Sequence, residues 1–160
     1  MKKAKHPTPN AEEGAWVIRE GGDGRKFDLE ERLLAFASAV IDLSEKLPTS
    51  RAGNHVAGQI LRSGTSPYPN HGEAEEAESR DDFIHKLKIC LKELRETRRW
   101  VRLIRKQGWA KDEPTLLFML RESDKLIRIF FSSIQTAKRN TLMDRRRGAG
   151  SNRYHPGEAG

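Results

Sequence analysis

The side chains best equipped for chemistry crowd into one stretch, Ser79 to Gln107, which reads SRDDFIHKLKICLKELRETRRWVRLIRKQ. Lys86, Lys88, Lys92, Arg95, Arg98, Arg99, Arg102, Arg105 and Lys106 recur through it, with Trp100 inside and Trp109 just beyond. Cations interleaved with aromatic rings suit the phosphates and bases of a nucleic acid, although a charged helix face is also an ordinary way of meeting water. A second chemistry is a metal centre, but di-metal bundle sites need Glu-x-x-His on each of two helices plus further inward carboxylates. Here Asp82-x-x-His85 occurs once, so no metal is expected. Cys90 is the single cysteine, which excludes an intramolecular disulfide and a zinc site built on thiolates. No Ser-His-Asp arrangement or glycine-rich phosphate loop stands out. The expectation is a protein without cofactor and without enzymatic activity.

These side chains need a rod to stand on, and the same stretch supplies it. Ser79 with Asp82 three positions on is a variant of the capping box, and no Gly or Pro follows until Gly108, a helix stop. Phe83, Leu87, Cys90, Leu94, Thr97, Val101 and Ile104 recur at steps of four and three, which puts them on one helical stripe. A helix of roughly 28 residues is about 42 Å long, so that stripe can be hidden only against other long helices.

The rest of the chain provides them. Asp28 and Glu31 open a helix carrying Leu29, Leu33, Phe36, Val40, Leu43 and Leu47, which ends at Pro48. Thr49 or Ser50 caps a second, with Val56, Ile60 and Leu61 on its apolar face and Gly53 and Gly58 suggesting close helix contact. Gly64, Pro67 and Pro69 predict a kink or break at 64–69, with helix resuming through Asn70 to Glu78. The acidic run Glu73, Glu75, Glu76 and Glu78 is a solvated face or a docking surface for a basic neighbour. Asp112 caps a last helix with Pro114 in its first turn and an inner stripe of Leu116, Leu120, Ser123, Ile127, Phe130, Ile134 and Ala137. Leu117, Met119, Leu126, Ile129 and Phe131 widen its apolar surface beyond one bundle core, which points to subunit contacts.

The expected fold class is therefore all-α, an antiparallel up-and-down four-helix bundle over residues 27–139 with a kinked second helix. Residues 1–26 are expected to form a flexible arm, whose Trp16-Val17-Ile18 packs onto the bundle, a neighbouring subunit or a partner. Residues 140–160, with Arg145, Arg146 and Arg147, are expected to form a disordered basic tail.

A chain of 160 residues suffices for one domain with a real core. With 36% hydrophobic and 33% charged residues, it suits helices with one apolar face and leaves little material for a doubly covered sheet. The net charge of +7 permits a polyanionic partner, though much of the excess sits at the termini. Neither a signal-peptide apolar run nor a window near the length of a membrane span is present, so the expected location is cytoplasmic, with no membrane partner.

Several segments taken together resemble a known family. They are Gln59-Ile60-Leu61-Arg62-Ser63-Gly64-Thr65-Ser66-Pro67, Asn70, Gly72-Glu73-Ala74, Glu78-Ser79-Arg80, Asp82-Phe83-Ile84-His85-Lys86-Leu87 and Lys92-Glu93-Leu94-Arg95-Glu96-Thr97. They look like the bacterial four-helix bundle family named for members encoded in intervening sequences of 23S ribosomal RNA. The resemblance runs from Phe27 to Asn140 and includes the closing Ser133-Ile134-Gln135-Thr136-Ala137-Lys138. It implies a small helical subunit that assembles into a ring-like homopentamer, with no established catalytic activity. The family is also similar to the accessory protein of diversity-generating retroelements, a basic pentameric bundle that binds a reverse transcriptase and nucleic acid. RNA or DNA and a reverse transcriptase are thus the partners that the resemblance implies.

Gln59, Arg62, Ser66, Asn70, Glu73, Phe83, Glu93 and Glu96 carry the shared pattern and are expected to be subunit or bundle contacts; Ser79 and Lys86 also belong to the pattern. Glu73 with Arg62, or Glu93 and Glu96 with nearby arginines, would make polar links inside or between subunits. Tyr68, Pro69 and His71 depart from the pattern at the kink. Residues 80–85 also resemble the Arg-x4-His signature of helical ribonucleases found in toxin and antiviral systems. The leading expectation is a non-enzymatic oligomeric bundle that scaffolds nucleic acid, contacted by Lys86, Lys88, Lys92, Arg95, Arg98, Arg99, Arg102 and Arg105. The competing ones are a protein interaction adaptor and a ribonuclease using Arg80 and His85.

Overall fold

In the computed structural model the described residues are 29–151, and they contain five helical segments and no strand. These are α1 (Leu29–Glu45), α2 (Arg51–Thr65), α3 (Pro67–Glu75), α4 (Arg80–Gln107) and α5 (Glu113–Ser151). The arm with Trp16-Val17-Ile18, the Asp28 cap and residues 152–160 lie outside the described residues.

The helix boundaries follow local chemistry. Ser50 Oγ accepts from the Gly53 amide and Ser79 Oγ from the Asp82 amide, so each serine satisfies a donor that the first turn leaves open. Asp112 does the same for α5, accepting from the Thr115 amide at 3.1 Å and from its hydroxyl at 2.6 Å. Those two bonds, the hydroxyl's above all, hold the Asp112 carboxyl below its usual pKa. Gly108, at φ 64°, ends α4 in the left-handed conformation, its amide bonded back to Arg105.

The expected break falls at Ser66, between α2 and α3, where Pro67 cannot donate into the helical ladder. Ser66 itself keeps helical dihedrals (φ −59°, ψ −38°), so α3 continues close to the line of α2 and the two act as one interrupted rod. Asn70 braces the joint. Its Nδ2 donates to the Ser66 carbonyl at 2.9 Å and to Ser66 Oγ at 3.1 Å.

The resulting four rods pack antiparallel. Ion pairs Arg105–Glu113, Arg98–Asp124 and Arg80–Asp144 run in opposite order along α4 and α5. α4 packs on α5, α2 and α3, while α1 packs on α2, α3 and α5. All seven residues of the expected α4 stripe are buried, as are all six expected of the first helix, although Leu47 lies just past the end of α1. Phe36, Phe83 and Phe130, each no more than 1% exposed, fill the centre. α2 can approach α1 because of Gly64, where a Cβ would stand 2.5 Å from a Val40 methyl. Gly53 is tight for a different reason, its place for a Cβ lying against the Pro48 carbonyl. Gly58, expected at a helix contact, is exposed and has nothing within 4 Å of an added Cβ.

α5 departs from expectation twice. Its buried face includes Met119, Glu122, Leu126 and Ile129, whereas Leu120 and Ile127 are only partly buried; the helix is rotated toward α1, which also needs covering. It also runs to Ser151 rather than giving way to a disordered tail at Asn140. Thr141-Leu142-Met143-Asp144-Arg145-Arg146-Arg147 contains neither Pro nor Gly, and Arg80 on α4 holds Asp144 in place.

Candidate nucleic-acid interface

α4 sorts its basic side chains by their angle around the helix. Lys88, Lys92, Arg95, Arg99 and Arg102 recur at steps of four and three, so they form one stripe about 21 Å long, facing away from the buried stripe of Leu87, Leu94 and Val101. All five are exposed, and among the described residues none of them takes part in an ion pair. Lys106 continues the line by one more step.

The other three expected contacts stand nearer the neighbouring helices and are spoken for. Arg98 Nε lies 2.7 Å from Asp124 Oδ1, and Arg105 Nη2 lies 2.6 Å from Glu113 Oε1, both on α5. Lys86 bonds to Glu73 of α3, and that bond raises the lysine pKa. Of eight expected nucleic-acid contacts, these three therefore tie the bundle together and the remaining five face outward.

The outward stripe borders apolar and aromatic surface. Lys88, Lys92, Arg95, Arg99, Trp100 and Leu103 line one shallow concavity on α4. A second, formed by Arg51 and His55 of α2 with Leu103 and Trp109, adjoins it, and Leu103 belongs to both. Trp100 is fixed in place. Its Nε1–H donates to Glu96 Oε1 at 3.3 Å, and the His55 ring meets it edge to face with centroids 6.4 Å apart.

The polar residues expected to be contacts within or between subunits gather where α2 and α3 meet α4. Arg62 donates to Glu93 Oε2 at 3.1 Å and to Glu96, with Gln59 Oε1 at 3.5 Å. Glu93 is buried, its side chain 8% exposed, so it depends on this arginine for its counter-charge. One turn further on, Thr97 Oγ1 lies 3.0 Å from Ser63 Oγ and donates to the Glu93 carbonyl. Glu73 pairs with Lys86 rather than with Arg62, because it stands on α3, beyond the break and three turns away. Phe83 is core, and Ser66 and Asn70 brace the break.

Arg80 and His85 do not converge. Five residues put them about 140° apart around α4. Arg80 is bonded to Asp144 of α5, and His85 faces solvent. Among the described residues no group of three or more His, Cys, Asp or Glu gathers as a metal site, and no helix is long and apolar enough to cross a membrane.

Two buried titratable groups escaped the sequence reading. His71, 3% exposed, sits in α3 against Phe130, with ring centroids 6.2 Å apart and Glu75 Oε2 3.9 Å from Nδ1. Burial lowers its pKa, and Glu75 and Glu30 only partly offset that. Glu122, bonded to Arg32 of α1, also faces inward. Its signal was present in the sequence, since Met119, Glu122, Leu126 and Ile129 recur at steps of three, four and three. Cys90, by contrast, is buried on its expected stripe, and burial pushes its thiol up to about 12.

The comparisons with known proteins agree with this architecture. A crystal structure from Bacteroides thetaiotaomicron, described as a protein of unknown function from the S23 ribosomal protein family, is 35% identical in sequence. The match has a TM-score of 0.60 and covers 66% of this chain and 96% of that one. No curated protein matches the chain. The family model for the 23S rRNA-intervening sequence protein matches residues 25–130, which takes in α1 to α4 and the first half of α5. This chain belongs to the 23S rRNA-intervening sequence protein family.

Proposed function

We propose that this protein is a non-enzymatic, oligomeric bundle that scaffolds nucleic acid through the outer face of α4. The observation that carries the reading is the set of five exposed cations, Lys88, Lys92, Arg95, Arg99 and Arg102, on one stripe with no carboxylate partner among the described residues. Cations placed for stability alone would be expected beside acids, as Lys86, Arg98 and Arg105 are. An unpaired row instead keeps a field available for a polyanion, whose condensed counterions are released on contact.

Assembly of several copies multiplies that row and adds avidity. α5 supports it with a flank of Leu117, Leu120, Ile127 and Phe131, partly or largely exposed. A homopentamer is the assembly that the family resemblance implies, and a reverse transcriptase is a partner of the same standing. Both belong to the proposal.

The test is an electrophoretic shift series with RNA and DNA at rising salt. Five phosphate contacts per subunit give a slope of about −3.5 in log K against log salt for a single strand, or about a hundredfold loss between 50 and 200 mM. Arg99→Glu with Lys92→Glu should abolish the shift while leaving the helical circular dichroism intact. No shift at about 50 mM salt, or a shift indifferent to salt, overturns the reading.

A further inference from the structure

Resting on that reading, we infer that the surface around Leu103 selects single-stranded polynucleotide over duplex, with unstacked bases lying against Trp100 and Trp109 while phosphates follow the α4 stripe. Two adjoining concavities share Leu103, which is 38% exposed. One presents four of the stripe cations, Lys88, Lys92, Arg95 and Arg99, beside Trp100, and the other presents Arg51 and His55 of α2 beside Trp109. A duplex hides the faces of its bases and offers a protein phosphates and groove edges, so rings placed beside a cation row add nothing to duplex binding. A single strand offers both.

The electrostatics of the two concavities favour such a ligand. Among the described residues their one carboxylate is Glu96, and it is committed to Arg62 and to the Trp100 indole. Arg51 is exposed, and among the described residues it has no ion pair. Trp100 is also held before any ligand arrives, by Glu96 on α4 and by the His55 ring on α2, so little rotamer freedom remains to be lost when a base stacks on it. The two helices meet in this geometry only in the folded bundle, and α2 contributes the Arg51 and His55 side.

The experiment uses the full chain at 50 mM salt and labelled oligo-U, oligo-dT and a blunt duplex of equal length, read by fluorescence anisotropy. Both single strands should bind more tightly than the duplex, and the tighter of the two identifies RNA or DNA as the ligand class. Trp100→Leu should weaken single-strand binding about 5- to 150-fold, the worth of one stacked base, and leave duplex binding unchanged. Trp100→Phe should recover most of the loss, which a purely structural role for the indole hydrogen bond would not allow. Because Trp100 is half-buried, a second readout uses the wild type, whose indole fluorescence saturating oligo-dT should quench and duplex should not. Equal affinity for duplex, or single-strand binding without quenching, overturns this inference while leaving the basic stripe in place. No binding of any probe removes both.

Discussion

Arg62 is the residue on which the junction of α2 with α4 turns. Its guanidinium serves Glu93, Glu96 and Gln59 together, and Glu93 is too buried to find water in its place. Arg62→Ala should cost about 1–3 kcal/mol in a urea melt, the penalty for stranding a buried carboxylate. Lys88→Ala, on the open stripe, should stay within about 0.5 kcal/mol of wild type. His71 predicts a pH dependence. Its folded pKa is lowered by burial, so below the unfolded value of about 6.5 the unfolded chain takes up a proton that the folded one refuses. Stability should hold above about pH 6.5 and fall as pH drops through the lowered folded pKa, and His71→Leu should flatten that slope in melts taken across the range. Glu75 and Glu30, which face the imidazole, limit the drop without reversing its sign.

At the scale of the element, the contact of α1 with α2 rests on one missing methyl. Gly64→Ala would drive a Cβ into Val40, itself fully buried, and should cost about 1–3 kcal/mol by overpacking. Adding Val40→Ala should recover part of that loss, so a double-mutant cycle would show coupling between the two sites. Gly58→Ala is the contrast on the same helix. Its Cβ would meet open space, and the gain in helix propensity should stabilise by about 0.5–1 kcal/mol. Sequence alone cannot tell these glycines apart, because both sit inside a helical pattern; only the position of the neighbouring rod separates them. The capping serines were legible for the opposite reason. Ser50 and Ser79 act on amides three residues away, which the local sequence already specifies.

For the whole molecule, the open flank of α5 is where the proposed assembly would form. Phe131 is 48% exposed, and Leu117, Leu120 and Ile127 stand on the same flank, spaced by three, seven and four residues up to Phe131. Light scattering on the purified chain should give a mass that is a multiple of the subunit, five by the family resemblance. Phe131→Glu should shift it toward the monomer with helicity unchanged. A monomer at every concentration would leave the proposed nucleic-acid face with only its single-copy affinity.

The sequence by itself determined the four rods, the caps at Ser79 and Asp112, a break within 64–69 and the buried stripes of α1 and α4. Helical period and capping are local, written within a few residues of the place where they act. Only the tertiary structure decided which cations remain available: Lys86, Arg98 and Arg105 resemble Lys88, Arg95 and Arg102 in sequence, but acids on α3 and α5 claim the first three alone. The same holds for the inward turn of α5, for His71 in the core, and for the meeting of His55 with Trp100. Each depends on the angle at which one rod is set against another, and that angle is fixed by packing across the whole bundle.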